Sequence, residues 1–196
     1  MLPTKKYAEA LLVEAEGMNP GPWGDHSRRV AKCAGLIAQK CGLDVEKAYI
    51  VGLLHDIGRR FGVTQMAHII DGYRFMTEQG FDEVAKICIT HSFAVPDMAM
   101  ECGKPDVTPE DYALIDKLIH AYQYDDYDRL IQVCDSIAFS DRVVDMKLRM
   151  DDVERRYGRY PQEKRQKHYE LKQYFEEKMG CNLYEAVEAD KELWGR

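Results

Sequence analysis

Two ionisable residues, His55 and Asp56, stand at the end of the apolar run Ala48-Tyr49-Ile50-Val51-Gly52-Leu53-Leu54. Such a run is buried on nearly all sides, and a buried imidazole or carboxylate is costly unless it is paired or bound to a metal. The pair therefore points to a polar site built into an apolar helical core. The rest of the chain has to supply its partners.

The pattern is helical almost throughout, with no internal repeat and no low-complexity linker. A first helix is expected over residues 5–16, and the Pro- and Gly-rich stretch 18–24 is expected as loop. Asp25 reads as the cap of a second helix whose stripe, Val30, Ala34, Ile37, Ala38 and Cys41, ends at Gly42. Extended back by four residues, that stripe puts His26 on the buried face. Asp44 caps the helix that carries His55-Asp56, Thr64 caps one that runs to Glu78, and Asp82 opens the next. In that last helix Val84, Ile87 and Cys88 lead to His91 at the i+7 position. Thr108-Pro109-Glu110-Asp111 combines a capping hydroxyl, a first-turn proline and acids against the helix dipole. A long helix is expected from Asp126 through Asp135, Ala138 and Val143, with Asp135 four residues beyond Ile131. Past Arg149 the chain is charged and amphipathic. The expectation is an all-α core over residues 1–150 and a C-terminal extension over 151–196, its helices packed on the outside.

Composition excludes little but is useful at two points. The formal charge of −7 over 196 residues argues against a general nucleic-acid coat. It does not argue against an anionic substrate held by a local basic cluster or by metal ions. No segment approaches the roughly 20 apolar residues needed to span a bilayer, and the first residues lack a signal-peptide apolar region, so a cytoplasmic protein is expected. The six cysteines include no CxxC pair, and Cys33, Cys88 and Cys134 fall in apolar helical patterns as small core residues.

Four of the six histidines and two aspartates, namely His26, His55, Asp56, His68, His91 and Asp135, share one property. Each lies on or beside an apolar helical face. Any one alone reads as a hydrogen-bonded core residue; six together read as a ligand set. Imidazole and carboxylate in combination suit Fe, Mn, Zn or related first-row ions, whereas an all-carboxylate set suits Mg. Neighbouring helical side chains point about 100° apart, so His55 and Asp56 do not converge simply on one ion. A carboxylate has two oxygens, however, and Asp56 can bridge two ions while His55 serves one. Two ions about 3.5–4 Å apart activate a bridging water and stabilise a displacement at phosphorus.

The series His26, His55-Asp56, His68, His91, Asp135 resembles the signature of the HD-domain superfamily of metal-dependent phosphohydrolases, over about residues 20–150. By that resemblance one ion takes His26, His55, Asp56 and Asp135, and the second takes Asp56, His68 and His91, as in the binuclear subgroup. The resemblance implies an HD-type helical bundle holding two divalent or mixed-valence ions, Fe or Mn first, with Zn, Co, Ni and Mg as further options. His91 is followed by Ser92, and Asp71-Gly72-Tyr73 is not a Gly-Tyr-Pro element, so the cyclic di-GMP phosphodiesterase branch is disfavoured. Guanosine tetraphosphate hydrolases have a mononuclear site in larger chains. Dinucleoside tetraphosphate hydrolases match in size and ligand order. The resemblance thus implies a phosphohydrolase that cleaves a small phosphorylated metabolite, a nucleotide or dinucleotide, through a metal-bridging hydroxide; the sequence itself leaves monomer and homodimer both open. The alternative is a mixed-valence di-iron oxygenase, since a small HD branch resembles the same ligand set. A non-catalytic module needs fewer ligands and no open positions.

Four residues are candidates for the substrate. Arg59, three positions after Asp56, can hold a phosphate bidentately and counts with Asp56 as catalytic, though it also suits a helix C-terminus. Arg29, one turn after His26, and Arg142, seven residues after Asp135, fall on the expected site sides of their helices; for both, a solvated surface position is the plainer reading. Trp23 either roofs the site or anchors its loop. His120 and His168 read as surface residues, and Arg155, Arg156, Arg159, Lys164, Arg165 and Lys167, interleaved with acids, read as a solvated face.

Overall fold

The apolar run that ends at His55 becomes the central helix of the structure, a computed structural model that describes residues 1–196. The elements in chain order are α1 (Lys5–Met18), α2 (Trp23–Cys41), α3 (Val45–Leu54), α4 (Ala67–Glu78), α5 (Asp82–Thr90), α6 (Pro109–Ala121), α7 (Asp126–Asp135), α8 (Met146–Tyr157), α9 (Gln162–Met179) and α10 (Leu183–Ala186). The fold is all-α, and the single β contact is an isolated antiparallel bridge between Ala138 and Val143. No helix is long and apolar enough to cross a membrane.

Helix α3 packs against α1, α2, α5 and α7. Its closest approach is to α2, where a Cβ on Gly52 would lie 3.0 Å from the Ala31 backbone. Val51, Leu53 and Leu54 of α3 share one apolar cluster with Val30, Ala34 and Ile37 of α2 and with Leu130, Ile131 and Cys134 of α7. Leu171 and Phe175 of α9, with Leu183 and Tyr184 of α10, bury into the same cluster. A smaller cluster joins α4 to α6 through Met66, Ile69, Ile70, Ile115 and Ile119. Cys33, Cys88 and Cys134 are buried among these residues, as the apolar pattern predicts.

Asp44 and Thr108 cap α3 and α6 with their side chains, and Gly42 closes α2 in the left-handed conformation (φ 69°). Three expectations fail. Helix α2 begins at Trp23, behind Pro22, so Asp25 is a first-turn acid rather than a cap. Thr64 does not cap α4 either. The amides of Gln65, Met66 and Ala67 donate instead to the carboxylate of Asp106, at 2.7, 2.7 and 2.9 Å. The cap thus comes from a loop some forty residues away, where no local pattern reveals it. Finally, α7 stops at Asp135. Ser136 turns its hydroxyl back onto the Val133 carbonyl, and the Val144 amide donates to Ile137, making a tight return through the polar residues Ser140, Asp141 and Arg142. Ile137, Ala138 and Val144 are buried either way, so their hydrophobicity does not distinguish this return from more helix.

The charged face expected on α9 is also divided. Lys164 and His168 are buried along with Leu171 and Phe175, because this side of α9 faces a cavity and the core instead of solvent. Burial, and then the charge of Lys164, lower the His168 pKa to about 4; Arg149 acts in the same sense, while a hydrogen bond to the Lys164 carbonyl and the charge of Asp135 oppose it.

Two stability measurements check this picture. Asp106→Ala leaves three helix-terminal amides without their acceptor and is expected to lower unfolding stability by about 1–3 kcal/mol in urea titrations. Between pH 6.5 and 4 the unfolded chain binds a proton at His168 that the folded chain does not, so stability falls as pH falls across that window. The share of His168 is up to about 3 kcal/mol. His168→Leu should therefore flatten the pH dependence of the unfolding midpoint, leaving the slope due to His26 and His91, whose pKa values are also lowered.

Candidate metal centre

Helix ends assemble the site. His26 stands in the first turn of α2, His55 just past the last turn of α3, His68 at the second residue of α4, His91 just past α5, and Asp135 at the last residue of α7. Asp56 opens a short 3-10 turn, Ile57–Phe61, that redirects the chain toward α4. This turn packs so closely that a Cβ on Gly58 would fall 2.0 Å from the His68 carbonyl oxygen and 2.5 Å from the Gly72 nitrogen. Only glycine fits. The contact brings the Asp56 carboxylate to His68.

All six predicted ligands converge, in two sets. His26, His55 and Asp135 can each offer one donor atom within 4.8 Å of the others, and so can Asp56, His68 and His91. In the first set His26 Nε2 lies 3.0 Å from Asp135 Oδ1. In the second, His68 Nε2 and His91 Nε2 lie 3.2 and 3.6 Å from Asp56 Oδ1. The sets adjoin through His55 Nε2, which is 3.9 Å from Asp56 Oδ2.

Backbone carbonyls orient the rings. His55 Nδ1 meets the Gly52 carbonyl at 2.7 Å, His91 Nδ1 meets that of Ile87 at 3.1 Å, and His68 Nδ1 meets that of Gln65. A ring that donates from Nδ1 presents a bare Nε2 lone pair, the usual arrangement behind a metal-bound histidine. His55 Nε2 is buried and has no hydrogen-bond partner at all. This orphaned nitrogen, in a mixed imidazole and carboxylate set, fits a first-row divalent ion.

The electrostatics agree with that fit. Burial pushes the Asp56 carboxyl up, but Arg59, His55 and His68 together hold it well below the usual carboxylate range. Burial likewise acts against Asp135, and the His26 hydrogen bond and Arg149 outweigh it. Burial, with the nearby His55, lowers the His91 pKa to about 3. Carboxylates held ionised beside an imidazole held neutral are the protonation states that metal ligation requires.

His26 and Asp135 of the first set and all three members of the second form the floor of a cavity of about 680 Å³, with His55 buried behind them. Arg59 reaches it, with Nε donating to Asp56 Oδ2 at 2.6 Å and Nη2 3.4 Å from His68 Nε2. Trp23 lines the wall, and its indole N–H donates to the Asn19 carbonyl at 2.8 Å, so the ring both anchors its loop and faces the cavity. Arg29 and Arg142 do not line it. Arg29 donates to the Asp141 carbonyl at 3.0 Å and pins the return after α7, whereas Arg142 is exposed and pairs with Asp141. The rotation expected of Arg142 assumed a helix that has already ended at Asp135. The cavity also recruits Arg149, Tyr160, Lys164 and His168, none of which the sequence singled out as site residues. The positions 164, 168, 171 and 175 recur at helical spacing, so Leu171 and Phe175 mark the face on which Lys164 and His168 are buried.

The HD domain family model matches residues 23–140, more than half of the chain and every candidate ligand described above. Ribonuclease Y of Mycoplasma capricolum subsp. capricolum is 43% identical over 65 residues, a stretch covering 33% of this chain and 13% of that protein. Ribonuclease Y of Chlorobaculum tepidum is 47% identical over 51 residues, 26% of this chain and 10% of that protein. The similarity therefore spans only about a tenth of these relatives' length. No solved structure matches the chain. From the extent of the family match, the chain belongs to the HD domain family of metal-dependent hydrolases.

Proposed function

We propose that the protein hydrolyses a phosphoester or phosphoanhydride of a small phosphorylated metabolite, a nucleotide or dinucleotide, with two ions held by His26, His55, Asp56, His68, His91 and Asp135. One observation carries this reading: the two donor sets adjoin at the floor of a single cavity, with Arg59 on its wall. Its volume is that of a small-molecule site, which takes a nucleotide more readily than a folded nucleic acid. When bound, the ions would supply a water-derived nucleophile at neutral pH and neutralise charge developing at phosphorus.

The protein's own groups have separate tasks. Asp56, with one oxygen toward each set, would be the ligand the two ions share. The Gly52, Gln65 and Ile87 carbonyls hold His55, His68 and His91 in their ligating orientation. Arg59 exchanges part of its pairing with Asp56 for a phosphoryl oxygen, and Trp23 offers a flat face for a base. Fe or Mn is the expected metal, and the cytoplasm the expected location. The first part of the 151–196 extension, through His168, acts as a wall of the cavity over the core. The likeness to ribonuclease Y supports a second reading, in which the scissile bond is a phosphodiester of RNA; the formal charge of −7 makes a long RNA the weaker choice.

Metal analysis of protein purified without oxygen should find two ions per chain. Phosphate release from nucleotides and dinucleotides should exceed release of nucleotides from an oligoribonucleotide; the reverse ranking selects the RNA reading. Oxygen uptake without phosphate release would replace both readings with the di-iron oxygenase. Asp56→Ala should abolish turnover, beyond the roughly 10–100-fold loss typical of changing an outer partner, and should lower bound metal. Full metal occupancy in that variant removes Asp56 from the bridging position.

A further inference from the structure

A lysine without a counter-ion faces the same cavity. Lys164 is only 7% exposed, yet no carboxylate pairs with it. Its neighbours on α9 behave differently. Arg165 takes Asp151 and Glu154 at 2.8 and 3.0 Å, and Lys167 takes Glu170 at 3.2 Å. Around the Lys164 ammonium lie the Tyr160 ring, 5.6 Å away at its centroid, and the Cys102 thiol. These are weak partners for a buried charge.

Arg149 lines the cavity as well. One nitrogen lies 3.3 Å from Asp135 Oδ1, while its Nε is buried with no hydrogen-bond partner. Two of the cavity's other carboxylates are taken by other cations. Asp152 is held by Arg155 and Arg156, and Asp141 by Arg142. Glu101 accepts the Gly103 amide through one oxygen and leaves the other buried and unpartnered. Beside Lys164, His168 meets the Lys164 carbonyl with Nδ1 at 2.8 Å, and a ring donating there keeps Nε2 as an acceptor.

We propose that Lys164 and Arg149 form an anion subsite that binds a second phosphate of the substrate, away from the phosphoryl group at the metal centre. The proposal rests on the hydrolase reading and narrows it to metabolites with two separate phosphate groups. A buried ammonium and a guanidinium with an unpartnered Nε line the same cavity, and phosphate oxygens can satisfy both. His168 Nε2 accepts a hydroxyl next to that phosphate, as a sugar would provide. No bond changes here; the subsite positions the far end of the substrate.

Inorganic phosphate titrated into metal-stripped protein by calorimetry tests the subsite apart from hydrolysis. Wild type should bind phosphate saturably, Lys164→Met should weaken binding about tenfold or more, and Lys164→Arg should restore most of it. Asp56→Asn, which alters the metal centre, should retain the binding. In metal-loaded protein, a nucleoside 3′,5′-bisphosphate should show a lower KM than the 5′-monophosphate, and Lys164→Met should erase that ratio. Equal phosphate binding by wild type and a folded Lys164→Met variant, or no saturable binding by wild type, overturns the subsite; in that case Lys164 merely balances Glu101 across the cavity. Phosphate binding without turnover of any phosphorylated compound removes the hydrolase reading and leaves the subsite standing.

Discussion

The contact between the Asp56–Phe61 turn and α4 is the constraint on which the site depends. Gly58 and Gly72 let two stretches of backbone meet without side chains between them. A carboxylate that follows a buried apolar helix is thereby delivered to the beginning of another. The result is a nearly buried Asp56 surrounded by His55, His68, His91 and Arg59. Removing such a carboxylate from water is unfavourable by several kcal/mol, and only this density of positive and donor groups offsets it. The arrangement stores no slack: moving the turn moves the Asp56 carboxylate relative to both donor sets at once.

Around that turn the structure keeps its polar atoms aimed by backbone rather than by other side chains. Three ligand rings lean on carbonyls of their own helices or of the turn just before. The entry to α4 is in turn held by Asp106 from a distant loop, so the position of His68 depends on residues that never approach the metal centre. Rigid helix ends are well suited to this work, because a ligand one residue from a cap inherits the precision of the helix behind it.

The clustered His and Asp residues were legible in the sequence as candidate ligands because each breaks an apolar pattern at a position the helical period puts inside. His26 and His91 are the clear cases, lying four residues before Val30 and seven after Val84. Legibility ended where structure depends on distant segments. Asp106 has no local signal as a cap for α4, and the buried Ile137 and Ala138 look the same in a helix or a tight return. Lys164 illustrates the opposite error. Charge at high density reads as a wet surface, but one face of α9 is turned inward by Leu171 and Phe175, and the lysine goes with it.

The division of the cavity between two parts of the chain has a historical consequence. Its floor comes from residues inside the 23–140 family match, whereas Arg149, Lys164 and His168 stand on helices beyond it. Descent can therefore keep the floor while the helices above it change, because the two parts of the cavity come from separate stretches of the chain. Kinship measured on the floor alone traces the candidate metal ligands; the side chains that face them across the cavity from α8 and α9 lie outside that measure.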